Sequence, residues 1–335
     1  MIVLASRYTN PENRKLEAAK AAHARDLESL LELLAAYLKH RRPGHSPRTL
    51  QAYGNAIKRY LEFTKDPRVE LVKAGINDLE RFRDDLRRIK EPPKREHKRL
   101  KARGTQPLEK PLAVNTQNQY LAGIAALYAA LVWARAMAEN PVREVVRPRS
   151  KTKAHEQFRA FSGEEMNLLL VVPSQTYPED LVRARRDTAI LALGLLAGLR
   201  VSEIVGLELD DFGSKSLTVQ GKGGKQRQVP VGSLLSPILK AWLEVRPPGS
   251  SALIVSLSKR NYAMNLTRQH VWVIVDFYFN LLQVERRDQV GGVHALRRAA
   301  GTNLYRATRD LHVVGGVLGH RVQPRACLMR SWVRI

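Results

Sequence analysis

The stretch that most constrains the fold is residues 186–207, RDTAILALGLLAGLRVSEIVGL, which is apolar on most sides of a helix. A surface helix keeps one polar face, so a helix that is apolar nearly all round lies at the centre of a core. Upstream, the serine of SGEE (162–165) stands three residues before a glutamate, which is the spacing of a capping box that begins a helix. The second half of the chain is therefore predicted to be a domain built around this central helix.

Other segments of the second half add helices and a small sheet. The stretch KSLTVQGKGGKQRQVPVG (215–232) predicts two short strands around a glycine-containing hairpin, and SALIVSL (251–257) is a candidate further strand. Helical spacing recurs in three later segments, TRQHVWVIVDFYFNLL (267–282), VHALRRAAGTNLYRA (293–307) and LHVVGGVLGH (311–320). These patterns predict an α+β domain with a small antiparallel sheet.

The first half is predicted to be all-α. Helical spacing appears in segments 27–40, 45–63, 76–89 and 113–141, and the second of these begins with the good N-cap Ser46 followed by Pro47. The run KREHKRLKAR (94–103) has no apolar face and predicts a loop or arm. The expected organisation is an N-terminal extension, a helical domain, a polar, proline-broken linker and a second domain, with bounds 1–24, 25–145, 146–158 and 159–335.

The charge balance indicates a polyanionic partner. Lys and Arg number 56 against 32 Asp and Glu, a formal net charge of +24, and a soluble chain this basic usually binds nucleic acid. No run approaches the roughly 18 apolar residues of a membrane span, the first residues do not resemble a signal peptide, and the single Cys327 excludes an intramolecular disulfide framework. We therefore expect a cytoplasmic, nucleoid-associated protein without a membrane partner; RNA binding by charge alone is an alternative to DNA binding.

Five residues of the second half are candidates for chemistry, and each also has an ordinary explanation. Arg200 can form an ion pair with the glutamate three residues on, and Lys222 can be a solvated hairpin lysine. His294 and Arg297 are spaced to share one helix face, and His320 follows a glycine that suits a helix C-cap. The loop around Lys222 also lacks the pattern of a nucleotide-binding P-loop.

The order of these residues is more specific than any one of them. The stretches GLRVSEIVGLELDDF, GKGGKQRQVPV, HALR and VLGH place Arg, Lys, His-x-x-Arg and Leu-Gly-His in succession within residues 158–320. This pattern resembles the catalytic domain of the tyrosine recombinase (phage integrase) family, most closely its Xer-like members. The first half is similar to the family's core-binding domain, which implies a SAM-like helical bundle there.

The resemblance implies a C-shaped clamp on double-stranded DNA, a homotetramer on its substrate, and cleavage and rejoining without a metal or other cofactor. Arg200 and Arg297 would hold the non-bridging oxygens of the scissile phosphate, because a guanidinium donates two parallel hydrogen bonds. Lys222 would protonate the leaving 5′ oxygen. His294 would accept or shuttle the proton of the nucleophile, and His320 would hydrogen-bond to the phosphate.

Basic residues of both halves are predicted to contact DNA. They lie on the polar face of segment 45–63, in the run 94–103, in the hairpin and beside Arg297. Within the hairpin, Lys225 is also the substitute candidate for the role of Lys222, and Arg298 stands where the family often has a second histidine. The predicted contacts are Arg48, Lys58, Arg59, Lys94, Arg95, Lys98, Arg99, Lys225 and Arg298.

The nucleophile of the family is missing from its expected position. In the family a tyrosine lies nine residues beyond the histidine of Leu-Gly-His; that position is Met329 here, and the last tyrosine of the chain is Tyr305. A methionine thioether has no ionisable proton and cannot form the phosphoester. Tyr305 lies eight residues beyond Arg297 on one predicted helix, about 12 Å along its axis, which is farther than a tyrosine reaches, so attack within the same subunit is not expected. The chain is therefore predicted to be cleavage-defective.

Three explanations of this departure stay open. Resemblance to the family is lost abruptly from Arg321 onward and the chain stops six residues beyond Met329, which favours a frameshift or truncation of an active recombinase. A non-cutting DNA-binding regulator or architectural protein built on the same clamp is the second explanation. The third is an unusual nucleophile, Cys327, whose thiolate neighbouring arginines would favour, although a small apolar residue on a helix is its ordinary explanation.

Overall fold

The computed structural model describes residues 8, 10–41, 46–91, 110–149, 161–221, 224–284 and 292–319. The chain forms two compact units, Met1–Lys151 and Thr152–Ile335, and each unit has its own apolar core. The division between them falls inside the predicted linker 146–158. The predicted arm 94–103 lies outside the described residues.

The described part of the first unit is a helical bundle. Its helices are α1 (Pro11–Ala24), α2 (Leu27–Arg41), α3 (Pro47–Phe63), α4 (Ile76–Arg88) and α5 (Val114–Trp133). A two-residue antiparallel pair, β1 (Lys90–Glu91) with β2 (Lys110–Pro111), adds to them, so the all-α prediction for this half was incomplete. Two residues are too few to show the alternation by which a strand is recognised in a sequence.

Local capping and periodicity explain the main helix pair of this unit. Ser46 Oγ accepts a hydrogen bond from the N–H of Arg48 at 3.3 Å, and Pro47 opens α3, as predicted. The apolar face of α3 packs in the core with α5. Helix α5 ends at Trp133, earlier than segment 113–141 predicted, because the chain turns there in a Schellman-type arrangement in which the N–H of Ala136 donates to Leu131 O at 3.0 Å.

The stretch predicted as an N-terminal extension contains α1. Asn10 caps this helix by accepting from the N–H of Glu12 at 2.9 Å. Its Ala18, Ala21 and Ala22 are buried in the core of the first unit. In the structure α1 is therefore a part of the bundle.

The second unit surrounds one buried helix. Its helices are α6 (Gly163–Thr176), α7 (Leu181–Leu195), α8 (Val201–Ile204), α9 (Leu235–Val245), α10 (Arg268–Leu281), α11 (Val293–Thr308) and α12 (Leu311–Leu318), with strands β3 (Ser216–Gln220) and β4 (Gln226–Pro230). Residues 189–195 of α7 are all buried, which confirms a central helix. It ends at Leu195, however, and the rest of the predicted stretch 186–207 forms a turn and the short helix α8. At the start of α6, Ser162 N donates to Glu165 Oε2 at 2.8 Å and Glu165 N donates to Ser162 Oγ at 3.1 Å, the predicted capping box.

The sheet of the second unit is one hairpin. Strands β3 and β4 pair antiparallel, with Leu217 opposite Val229 and Gln220 opposite Gln226, as predicted. SALIVSL (251–257) forms no strand, so that prediction was wrong. Its Ala252 bridges Glu208 while its Val255 bridges Asn265, and two isolated bridges to different partners do not make a ladder.

Candidate active site

A glycine turn after the central helix delivers the first candidate residue. Gly198 has φ +63°, and a Cβ built on it would lie 2.5 Å from Leu318 Cδ2. Both the left-handed backbone and the close approach of the end of α12 therefore require glycine here. The chain then leads directly into Arg200, which occupies the N-cap position of α8.

The carboxylate of Glu203 is the centre of the site. It is 4% exposed and lies 2.7 Å from Arg200 Nη1, so the ion pair expected from the sequence is present. Glu203 Oε2 also accepts from the backbone N–H of Arg200 at 2.8 Å. Arg227 Nη1 and Nη2 each donate at 2.9 Å, one to each oxygen of Glu203, and Arg297 Nη1 lies 3.5 Å from Oε2. One buried carboxylate thus gathers three arginines.

Arg297 ties the site to two neighbouring segments. It projects from α11 and its side chain is 4% exposed. Nη1 donates to the carbonyl of Gly198 at 2.6 Å and Nη2 donates to the carbonyl of Leu318. Burial, together with the charge of Arg200, lowers the pKa of Arg297 to about 10. The guanidinium therefore stays charged at neutral pH.

Arg227 is a member of the site that the sequence analysis missed. It is the second residue of β4, and its side chain is 12% exposed. Its Nε donates to the carbonyl of Val317 at 2.8 Å. Two residues on, Val229 is buried on the same face of the strand. An arginine at an inward-facing position of a short strand was the available signal, because such a side chain needs a buried partner.

The charges of the cluster favour an anionic ligand. Three guanidiniums and one carboxylate leave a net charge of +2. Burial alone would raise the pKa of Glu203, but hydrogen bonds from Arg227 and Arg200 outweigh it and hold this pKa below its usual value. The side chain of Arg200 is 40% exposed, against 12% for Arg227 and 4% for Arg297. Arg200 is therefore the most accessible donor to a tetrahedral oxyanion.

Of the remaining candidate catalytic residues, His294 lies among the described residues and the others do not. His294 is exposed in the first turn of α11, one turn before Arg297. Lys222, His320, Met329 and Cys327 lie outside the described residues. The segments beside two of them are fixed, however. The hairpin closes with Gly221 N donating to Lys225 O at 2.6 Å, and α12 ends at Gly319 in the left-handed conformation.

The predicted DNA contacts also differ in accessibility. Arg48 and Lys58 of α3 are exposed, as is Lys225 of the hairpin, whereas Arg59 is partly buried and lies 3.4 Å from Glu62. Arg298 is buried, so its prediction as a DNA contact gains no support from exposure. Four others lie outside the described residues: Lys94, Arg95, Lys98 and Arg99.

The residues of this cluster lie within a region of the chain that matches a known protein family. The chain matches the Phage integrase family over residues 163–323, which include all three arginines and Glu203. It is 30% identical over 306 residues to tyrosine recombinase XerD of Mycobacterium tuberculosis, which spans 88% of this chain and 91% of that protein. This chain belongs to the phage integrase family. Within the family it is an Xer-like tyrosine recombinase, with 29% identity over 258 residues to XerD of Vibrio vulnificus, or 73% of this chain and 81% of that protein.

Solved structures share the fold of this recombinase. The XerH site-specific recombinase bound to palindromic difH substrate superposes with a TM-score of 0.63 at 17% identity, over 96% of this chain and 91% of that one. A lambda integrase (75–356) dimer bound to a COC' core site gives a TM-score of 0.62 at 16% identity, over 88% and 95%. The predicted fold class, a mainly helical chain of two domains with a small antiparallel sheet, is confirmed.

The described residues show neither a membrane-spanning helix nor a metal-binding cluster of side chains. In those ranges no helix has the length and apolar character needed to cross a bilayer. Over the same ranges, no group of three or more His, Cys, Asp and Glu side chains is arranged to hold a metal ion.

Proposed function

We propose that this chain is a site-specific DNA recombinase of the Xer type that grips a DNA phosphodiester but, as it stands, does not cut it. The observation that carries the proposal is the cluster around Glu203, where Arg200 and Arg297 are held in a site of net positive charge. Preorganised donors of this kind are most effective toward charge that develops in a transition state. The difH substrate bound to XerH and the DNA bound to lambda integrase support duplex DNA as the ligand.

In the reaction proposed for a complete site, a tyrosine oxygen attacks phosphorus and the bond from phosphorus to the 5′ oxygen breaks. A 3′-phosphotyrosyl link forms, and a free 5′ hydroxyl leaves. Arg200 and Arg297 would stabilise the added negative charge on the non-bridging oxygens. Lys222 would give its proton to the 5′ oxygen, His294 would take the proton of the tyrosine, and His320 would donate a hydrogen bond to the phosphate.

The proposal that this chain does not cut rests on the position of its tyrosines. Tyr305 is the last of them. It lies on α11 with Arg297, eight residues further along, which is about 12 Å along a helix axis. A tyrosine side chain spans roughly half of that distance. The family match ends at residue 323, before Met329, the position where the resemblance implies the nucleophile.

A non-cutting DNA-binding regulator is the second candidate, and the same lack of a tyrosine beyond Tyr305 favours it. The two candidates differ in the gene. If the chain is a frameshifted recombinase, the nucleotides after the His320 codon encode a tyrosine nine codons downstream in another frame. A regulator selected for binding alone has no such codon.

We propose further that the protein acts as a homotetramer on double-stranded DNA in the nucleoid. A lambda integrase tetramer bound to a Holliday junction shares this fold, with a TM-score of 0.60 at 15% identity. Cross-linking on bound duplex, followed by mass measurement, tests the assembly. A monomer that saturates a single site would contradict it.

A nicked duplex tests whether the chain cuts. Duplexes that bind tightly are first selected from a random-sequence pool, and a nick is then placed at successive positions so that a cleaved fragment would be lost and the protein trapped on DNA. We expect tight binding and no covalent adduct after denaturing electrophoresis, because no phenol reaches the phosphate. An adduct would overturn the claim that the chain does not cut, and its attachment site would identify the nucleophile. Failure to bind any duplex would overturn the proposed function itself.

Replacing Arg200 separates grip on one phosphate from general DNA affinity. In wild type, ethylation of the phosphate that Arg200 contacts should interfere with binding, and Arg200→Ala should abolish this interference. Total affinity should fall by only about tenfold, since the remaining contacts are spread over many phosphates. The matched control is Arg185→Ala, which removes an arginine of the same unit that pairs with Glu244 at 2.8 Å. Loss of all binding by Arg200→Ala, with the fold intact by circular dichroism, would contradict the proposed distribution of contacts.

A further inference from the structure

Arg227 has no assigned role in the proposed reaction, yet it makes the most extensive contact with the centre of the site. Its two terminal nitrogens engage both oxygens of Glu203 at 2.9 Å each, and its Nε donates to the carbonyl of Val317 at 2.8 Å. A guanidinium that binds a carboxylate through two parallel hydrogen bonds fixes orientation as well as distance. The side chain is only 12% exposed, so its partners lie inside the protein.

The same side chain packs against the turn that leads to His320. A Cβ built on Gly319 would lie 3.0 Å from Arg227 Nη1 and 3.1 Å from its Cδ. Gly319 also has φ +62°. The guanidinium thus occupies the space beside a glycine that the backbone already requires, and its bond to Val317 fixes the end of α12.

Arg227 also anchors the hairpin. It lies opposite Val219 in the β3–β4 register, two residues after Lys225. The start of β4 is therefore bound to Glu203 through Arg227, while Lys225, two residues earlier in the turn, is exposed. The side chain of Arg227 thus links the hairpin to the carboxylate of Glu203 and to the end of α12.

We propose that Arg227 is a positioning residue: by clamping Glu203 and the end of α12, it sets the orientation in which Arg200 and Arg297 receive a phosphate. Arg200 Nη1 donates to Oε1 of Glu203 and Arg297 Nη1 approaches its Oε2, so a rotation of this carboxylate changes its contact with both arginines. Without the clamp, Glu203 is free to rotate toward Arg200 and the two phosphate donors lose their relative geometry. The inference rests on the proposed phosphate-binding role of the site.

The test uses inorganic orthovanadate, a phosphate mimic, titrated into the full chain and followed by vanadium NMR. Wild type is expected to bind saturably, and Arg200→Ala to abolish that binding. Arg227→Lys keeps the positive charge but loses the fork and the second donor to Glu203, and it should weaken orthovanadate binding about tenfold, as expected for one charge-assisted hydrogen bond. If charge alone mattered, Arg227→Lys would bind as wild type does, and that result would overturn the inference.

A matched arginine controls for a purely structural effect. Arg246 donates to the carbonyls of Ala252, Ser250 and Pro247 and has no contact with Glu203 among its described hydrogen bonds. Arg246→Lys should lower thermal stability without changing orthovanadate affinity. Equal loss of affinity in both variants would overturn the inference in favour of general loosening of the fold.

A double-mutant cycle tests the route through Glu203. If Arg227 acts through this carboxylate, Arg227→Lys has no further effect on orthovanadate binding in a Glu203→Gln background, whereas additive losses overturn the route. Other results would contradict the proposed function rather than the role of Arg227. Wild type that does not bind orthovanadate, or binding that survives Arg200→Ala, would remove the phosphate site itself and the inference with it.

Discussion

Glu203→Gln is expected to lower the free energy of unfolding by about 3 kcal/mol at neutral pH, the cost typical of breaking a buried ion pair from one side. The amide keeps the shape of the side chain but removes the negative charge of the cluster, and Glu203 is the one acidic partner of Arg200, Arg227 and Arg297 among the ion pairs of the described residues. We place the value at the low end of the typical range because Arg200 is 40% exposed. Urea denaturation followed by circular dichroism measures the difference.

The pH dependence of this difference has a definite sign. The pKa of Glu203 is held below its usual value in the folded protein, so ionisation of this group favours the folded state. Its contribution is complete above the unfolded-chain value of about 4.3 and fades as pH falls through the lowered folded pKa. The stability gap between wild type and Glu203→Gln should therefore narrow in acid.

A surface carboxylate provides the control for this prediction. Glu244 pairs with Arg185 at 2.8 Å but is 66% exposed, so Glu244→Gln should cost at most about 0.5 kcal/mol. A loss in Glu203→Gln no larger than that of Glu244→Gln would mean that the carboxylate does not organise the cluster. A gap that widens in acid would contradict the direction of the Glu203 pKa.

Local patterns predicted those parts of the fold that local interactions determine. The capping box at Ser162, the hairpin and the buried helix α7 were all visible as short-range spacing, and they lie where the sequence indicated. The pair β1–β2 and the isolated bridges of 251–257 were not predictable, because their partners are distant and too few residues pair to leave a period.

The candidate site also depends on contacts between residues that are far apart in the sequence. The ion pair of Arg200 with Glu203 followed from their spacing of three residues, and it was the ordinary alternative to a catalytic role. In the structure the same glutamate also receives Arg227, 24 residues away, and Arg297, 94 residues away. The structural and the functional interpretation of Arg200 are thus compatible, since the ion pair is what orients the arginine. No local pattern could have shown that three arginines share one carboxylate.

The largest expected effect on binding comes from salt. A chain of net charge +24 that neutralises six or more phosphates should lose about a thousandfold or more in affinity for duplex DNA between roughly 50 and 200 mM salt, because each neutralised phosphate releases condensed counterions. Fluorescence anisotropy on a fixed duplex at stepped salt concentrations measures the slope. A flat response would contradict DNA binding through phosphates, and equal affinity for single-stranded RNA would favour an RNA-binding protein that uses charge alone.

Substitutions of single lysines test which surface of the protein produces the salt dependence of DNA binding. Lys58 is exposed on α3 among the predicted DNA contacts, whereas Lys73 pairs with Glu70 at 2.9 Å and is not among those contacts. Lys58→Gln should reduce the slope of log affinity against log salt by about 0.9, the value for one phosphate contact on duplex DNA, while Lys73→Gln should leave it unchanged. Because both variants lower the net charge equally, equal slopes would show that total charge, rather than the exposed face of α3, determines the salt dependence.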